Sequence, residues 1–127
     1  MKKIIAISFL ALAAFTLGAC KTAGLGGDAT IVAFPKHHGA PIYGATVYVK
    51  FNAKDFPGTN ISSYDATFVG EPKEDHVHLE ELKKGDYYFY AVGYDSTISQ
   101  MVYGGQSFTI KRKDRSDEQD IEIAVTE

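Results

Sequence analysis

The chain reads as an all-β protein, a seven- to eight-stranded antiparallel β-sandwich. Three observations predict this. Beyond the first two dozen or so residues, no segment keeps a helical period. Tyr and Phe number eight each, and with β-branched residues they fill the stretches between turns. Turn chemistry recurs at short intervals: His38-Gly39-Ala40-Pro41, Phe56-Pro57-Gly58-Thr59-Asn60, Gly70-Glu71-Pro72, Lys84-Gly85-Asp86 and Gly104-Gly105. Many short strands at such spacing fit two packed sheets.

Strands are expected near 28–36, 44–53, 64–70, 75–81, 86–95, 98–103, 105–112 and 119–126. Period-2 alternation assigns their faces. In the second strand Ala45, Val47, Val49 and Phe51 point inward and Lys50 outward. In the fourth, inward Val77 and Leu79 turn His76 and His78 out. Strand 86–95 is aromatic on both sides: Tyr87, Phe89 and Ala91 share one face, and Tyr88, Tyr90, Val92 and Tyr94 the other. Phe108 and Ile110 alternate with Ser107, Thr109 and Lys111. Ile121, Ile123 and Val125 point in, with Asp120, Glu122 and Ala124 out. Leu82-Lys83-Lys84-Gly85-Asp86-Tyr87 resembles a tyrosine corner, in which a Tyr at a strand start bonds back to upstream backbone after an arch between sheets. A plain hairpin joining 75–81 to 86–95 is the alternative.

Two runs carry a family resemblance. Pro41-Ile42-Tyr43-Gly44-Ala45-Thr46-Val47-Tyr48-Val49 is similar to the opening of carboxypeptidase-regulatory-like, or transthyretin-like, domains. Val77, Leu79, Leu82, Gly85, Tyr87 and Gly93-Tyr94 follow in the order of their second half. The resemblance covers roughly 41–95. The His-His-Gly, Phe-Pro-Gly and Gly-Asp-Tyr-Tyr runs are also similar to small Bacteroidetes lipoproteins. What this implies is a prealbumin-like sandwich, usually non-catalytic and used as a scaffold or adhesion module. The enzymatic branch of the transthyretin family, which hydrolyses 5-hydroxyisourate, ends in Tyr-Arg-Gly-Ser. This chain ends Ala124-Val125-Thr126-Glu127, so that activity is not expected.

The N-terminus explains why the sandwich starts late. Met1-Lys2-Lys3 is a short positive region, and Ile4 to Leu17 is an apolar run too short to span a bilayer permanently. Leu17-Gly18-Ala19-Cys20 then resembles the lipobox of bacterial lipoproteins, cut before a cysteine whose thiol carries a diacylglycerol. Two acyl chains hold a protein on a membrane stably, where one is marginal. The expected organisation is a signal peptide over 1–19, a glycine-rich tether over 20–27 and a sandwich over 28–127. Lys21 is not the Asp that retains enterobacterial lipoproteins in the inner membrane, so the outer membrane of a bacterial envelope is favoured. The first acid after the cysteine is Asp28, so the acidic export signal of some surface lipoproteins is unsupported.

Composition narrows function. Losing Lys2 and Lys3 leaves 11 basic against 16 acidic residues, a net charge near −5. That argues against a nucleic-acid partner. Cys20 is the only cysteine, so its lipidation removes both disulfides and a thiol nucleophile. Ser96, Ser99 and Ser107 lack a Gly-x-Ser-x-Gly context. Lys111 to Glu118 alternates in sign and reads as an exposed hairpin tip without the spacing of an EF-hand. No enzyme activity is expected.

Two constellations remain. His76 and His78 lie two apart on one strand face and would present two imidazoles to zinc or copper. His37 or His38 would add a third ligand, with Asp75 or Asp95 as carboxylate. The competing reading is four solvated histidines. Tyr48, Tyr88, Tyr90 and Tyr94 are expected on outer faces, as a contact surface for a protein or glycan or as plain sheet cover. The expected function is a non-enzymatic, membrane-anchored lipoprotein presenting a binding or structural module in the envelope. Metal binding through the His pairs is the alternative.

Overall fold

The computed structural model describes residues 22–127. The expected signal peptide and the lipidation site Cys20 lie outside the described residues. The strands are β1 (Leu25–His37), β2 (Ala40–Pro41), β3 (Thr46–Phe51), β4 (Ala66–Val69), β5 (Val77–Leu82), β6 (Gly85–Asp95), β7 (Gln100–Ile110) and β8 (Glu118–Ala124). They form two four-stranded sheets packed as an all-β sandwich. One sheet has the order β4-β3-β6-β7, antiparallel throughout. In the other, β1 pairs antiparallel with β5 and with the short β2, and parallel with β8. The parallel pair joins the first strand to the last and is the one departure from the expected antiparallel pattern.

Alternation assigned the inner faces as expected. Val47 and Val49 on β3, Val77 and Leu79 on β5, and Ile121, Ile123 and Val125 along and just past β8 are all buried. Tyr87, Phe89 and Ala91 of β6 meet them from the other sheet. The Tyr87 and Phe89 rings stack at 5.8 Å, and Phe89 continues onto Phe108 at 6.3 Å. Offset aromatic pairs of this kind add to the stabilisation from area burial.

The tyrosine corner is present and the hairpin alternative is not. β5 and β6 lie in different sheets, so Lys83 and Lys84 form an arch. The Tyr87 hydroxyl lies 2.6 Å from the carbonyl of Lys83, where it donates, and accepts the N–H of Gly24 at 3.0 Å. Gly85 has φ +141°, and a Cβ there would sit 2.7 Å from the Ala23 nitrogen. These contacts dock Ala23 and Gly24 on the arch, and β1 begins at Leu25, within the stretch read as tether.

Gly104-Gly105 was expected as a turn between two strands. Both glycines instead lie within β7. A Cβ on Gly104 would fall 1.9 Å from the carbonyl oxygen of Ala124. Glycine is there because another backbone passes close by. That backbone is the segment after β8: Val125 donates to Lys36 O at 2.9 Å, and Thr126 and Tyr103 exchange two bonds at 2.7 and 2.9 Å. The C-terminal strap thus bonds β1 of one sheet and β7 of the other. The charged run 111–118, expected as a hairpin tip, is likewise a crossover between sheets, with a 3-10 turn at Arg112–Asp114.

Candidate functional site

Three sites stand out: an aromatic groove on the β4-β3-β6-β7 sheet and two histidine clusters around β1.

The groove lies on the outer face of that sheet. Tyr48 of β3 pairs across the ladder with Tyr90 of β6, which pairs with Gly105 of β7. Gly105 has no side chain, so the floor dips there; a Cβ would meet the Tyr88 ring at 2.5 Å. The loop between β3 and β4 folds over this face. Its Phe56 ring lies 5.8 Å from Tyr88 and 5.5 Å from Tyr90, and Tyr64 stacks on Tyr90 at 5.7 Å. The loop is held by its own bonds. Tyr64 donates to Gly58 O at 2.8 Å, Lys50 Nζ to Ser63 O at 2.9 Å, and the Asn60 side chain accepts from Ser62 N–H at 3.1 Å. The open volume is about 820 Å³, and no charged side chain lines it. Burial pushes the Tyr64 hydroxyl up to about 12 and raises those of Tyr88 and Tyr90, so these three stay neutral at physiological pH.

The expected outer stripe is therefore split. Tyr48, Tyr88 and Tyr90 line the groove, but Tyr90 is covered by the loop and is only 5% exposed. Tyr94 lies on the same face outside the groove, in the open. Sequence reasoning missed Phe56, Ile61 and Tyr64 from the loop and Met101 and Tyr103 from β7. The last pair are 44% and 42% exposed and form an apolar rim. Met101 and Tyr103 could have been found from their spacing of two beside Gly105.

The four histidines do not converge. They divide into His37 and His38 with Glu127, and His76 and His78 with Glu74; among the described residues no group joins the two pairs. The cause is strand geometry. His37 continues the inward face of β1, whereas inward Val77 and Leu79 put His76 and His78 on the opposite, outer side. Each carboxylate offered from the sequence is at hand, but each pairs with its own histidine.

His37 is buried and its two ring nitrogens are both taken. Nδ1 lies 2.8 Å from Asp95 Oδ2 and Nε2 3.0 Å from Glu127 Oε1. Ionised carboxylates only accept, so this geometry favours a ring that donates from both nitrogens, the imidazolium form. The Asp95 hydrogen bond is the main cause of a raised His37 pKa, opposed by burial. Asp95 also accepts from Thr97 N–H and Oγ1, and together with His37 these hold its carboxyl at about 2. With both nitrogens occupied, His37 has none left to activate a serine. His38 sits beside it at φ +53° in the turn to β2, its ring 4.3 Å from that of His37.

His76 is built differently. Its Nδ1 lies 2.9 Å from Asp75 Oδ1, and this hydrogen bond lowers the Asp75 pKa. Its Nε2 is 3.7 Å from Glu74 Oε1, beyond hydrogen-bond range. The His78 ring stands edge-on at 4.9 Å, and Phe34 covers His76 from the side at 5.4 Å.

Comparison with family models, curated proteins and solved structures finds no match to this chain.

Proposed function

We propose that this protein is a non-enzymatic lipoprotein of the bacterial envelope, anchored through Cys20, that binds an apolar segment of a partner protein in the aromatic groove. In this reading the sandwich is a presenting scaffold of the transthyretin-like kind. The observation that carries it is the lining of the groove: Tyr, Phe, Met, Ile and Val side chains around a glycine floor, with no charge. Buried contact patches between proteins are enriched in Tyr, Phe and Met and depleted of charge. Sugar sites ordinarily combine an aromatic platform with charged or amide groups that fix hydroxyls, and Thr59 and the tyrosine hydroxyls are the only side-chain polar groups here.

The anchor has its own support. Thr22 and Ala23 lie in a depression lined by Lys83, Lys84 and Arg115 against one acid, Asp28, and among the described residues none of these three cations has a carboxylate partner within 4.0 Å. One residue, Lys21, separates Cys20 from Thr22 in the chain, a reach of about 7 Å at most. Lipid on Cys20 would set that basic end against anionic headgroups.

Arrayed apolar peptides and arrayed neutral glycans, probed with the purified protein, test the groove. Retention on apolar peptides, reduced at least about tenfold by Met101→Glu with Tyr103→Glu, is the expected result. Retention on glycans alone would replace the protein partner with a sugar, and unchanged binding by the variant would remove the groove. Labelling of cells with an alkynyl fatty acid tests the anchor: label on the wild type and none on Cys20→Ala is expected.

A further inference from the structure

We infer that Glu74, His76 and His78 form a binding site for a borderline divalent cation, zinc or copper, at the start of β5 on its outer side. This site is separate from the groove and does not depend on its function. The donor atoms of the three residues all lie within 4.8 Å of one another. Ligands of a tetrahedral zinc at ~2.0–2.1 Å stand about 3.3 Å apart, so side-chain rotation of about 1 Å closes the set. Two imidazoles with one carboxylate suit zinc and copper better than magnesium or calcium.

The surroundings prepare these donors. Asp75 Oδ1 lies 2.9 Å from His76 Nδ1, which orients the ring and leaves Nε2 for a ligand. Nε2 faces the Glu74 carboxylate at 3.7 Å, beyond hydrogen-bond range. A carboxylate behind the ligating imidazole is the usual second partner of a metal-bound histidine. The backbone is fixed as well. Glu74 N–H donates to Glu71 O at 3.0 Å, Glu74 O accepts from Gly44 N–H at 3.1 Å, and His78 is registered against Val32 of β1. The Phe34 ring walls one side. Three protein ligands leave a fourth position for water or an external group.

The test is equilibrium dialysis of the purified, chelator-stripped protein against zinc sulfate, repeated with copper sulfate. One equivalent of tightly held metal is expected. His78→Ala and Glu74→Gln should each weaken binding by tenfold or more, and Asp75→Asn by about 10–100-fold through the orientation of His76. His38→Ala should leave affinity unchanged. The side chains of Glu74 and His78 are exposed, so these variants should fold, and circular dichroism with an unchanged thermal midpoint verifies it. No saturable binding at micromolar metal would overturn the site. So would binding unchanged in His78→Ala or lost in His38→Ala.

Discussion

His37 and His76 keep the same company. Each turns Nδ1 toward an aspartate and Nε2 toward a glutamate, and each has a second histidine ring beside it. They differ in closure. The Nε2–carboxylate distance is 3.0 Å at His37 and 3.7 Å at His76, and the side chains are 4% and 25% exposed. At His37 both ring nitrogens are satisfied within the protein, so the cluster ties Glu127 to the body of the fold. At His76 the Nε2 atom stands 3.7 Å from its carboxylate, outside hydrogen-bond range, so the cluster is suited to take a cation. One donor set serves as a clasp where the strand turns it inward and as an open site where the strand turns it out.

The strongest way to break the clasp is to dislodge the strap that carries Glu127. Gly104→Val places a side chain against the Ala124 carbonyl and should cost about 1–3 kcal/mol in denaturant unfolding. Metal binding at His76 should survive it, because no part of that cluster touches the strap. Next in size is His37→Leu, which leaves Asp95 and Glu127 facing each other across an apolar side chain. A fall in thermal midpoint of roughly 5 °C or more is expected by calorimetry.

A smaller effect appears with pH. The His37 pKa is raised in the folded state, so its contribution is complete below ~6.5 and is lost as pH rises through the folded value. The Asp95 pKa is lowered to about 2, so its contribution is complete above ~4 and is lost as pH falls toward that value. The groups facing His37 are Asp95, Glu127 and the His38 ring. Midpoints measured from pH 3 to 9 should therefore peak at about pH 4–6.5, and His37→Gln should flatten the alkaline limb. The smallest effect is His76→Leu without metal. A ring about a quarter exposed, replaced on an outer face, should change stability by no more than about 0.5 kcal/mol. Equal destabilisation by His37→Leu and His76→Leu would erase the distinction between the clusters.

Much of this arrangement could be read from the residues. The alternation in β3, β5, β6 and β8 placed Val47, Leu79, Phe89 and Ile123 inside because a strand has a period of two. Tyr87 after Lys-Gly-Asp marked the arch. The same alternation put His76 and His78 together on one outer face. What could not be read depended on partners distant in sequence. A glycine pair inside a strand looks like a glycine pair in a turn until Ala124 is seen passing Gly104. The inward turn of His37 toward Asp95 needed the pairing of β1 with β8 and of β6 with β7, which local pattern does not encode. The lid of the groove was hidden for a similar reason: Phe56 and Tyr64 sit in a loop whose fold-over is set by contacts with Tyr88 and Tyr90.

The contrast between a closed and an open cluster is tested most directly by histidine-ring NMR of the labelled protein during a zinc titration. The rings of His76 and His78 should shift together and saturate at one equivalent, while the His37 ring stays in place with both nitrogens protonated. Movement of His37 and His38 first, or of all four rings together, would contradict the assignment of one cluster as a clasp and the other as a metal site.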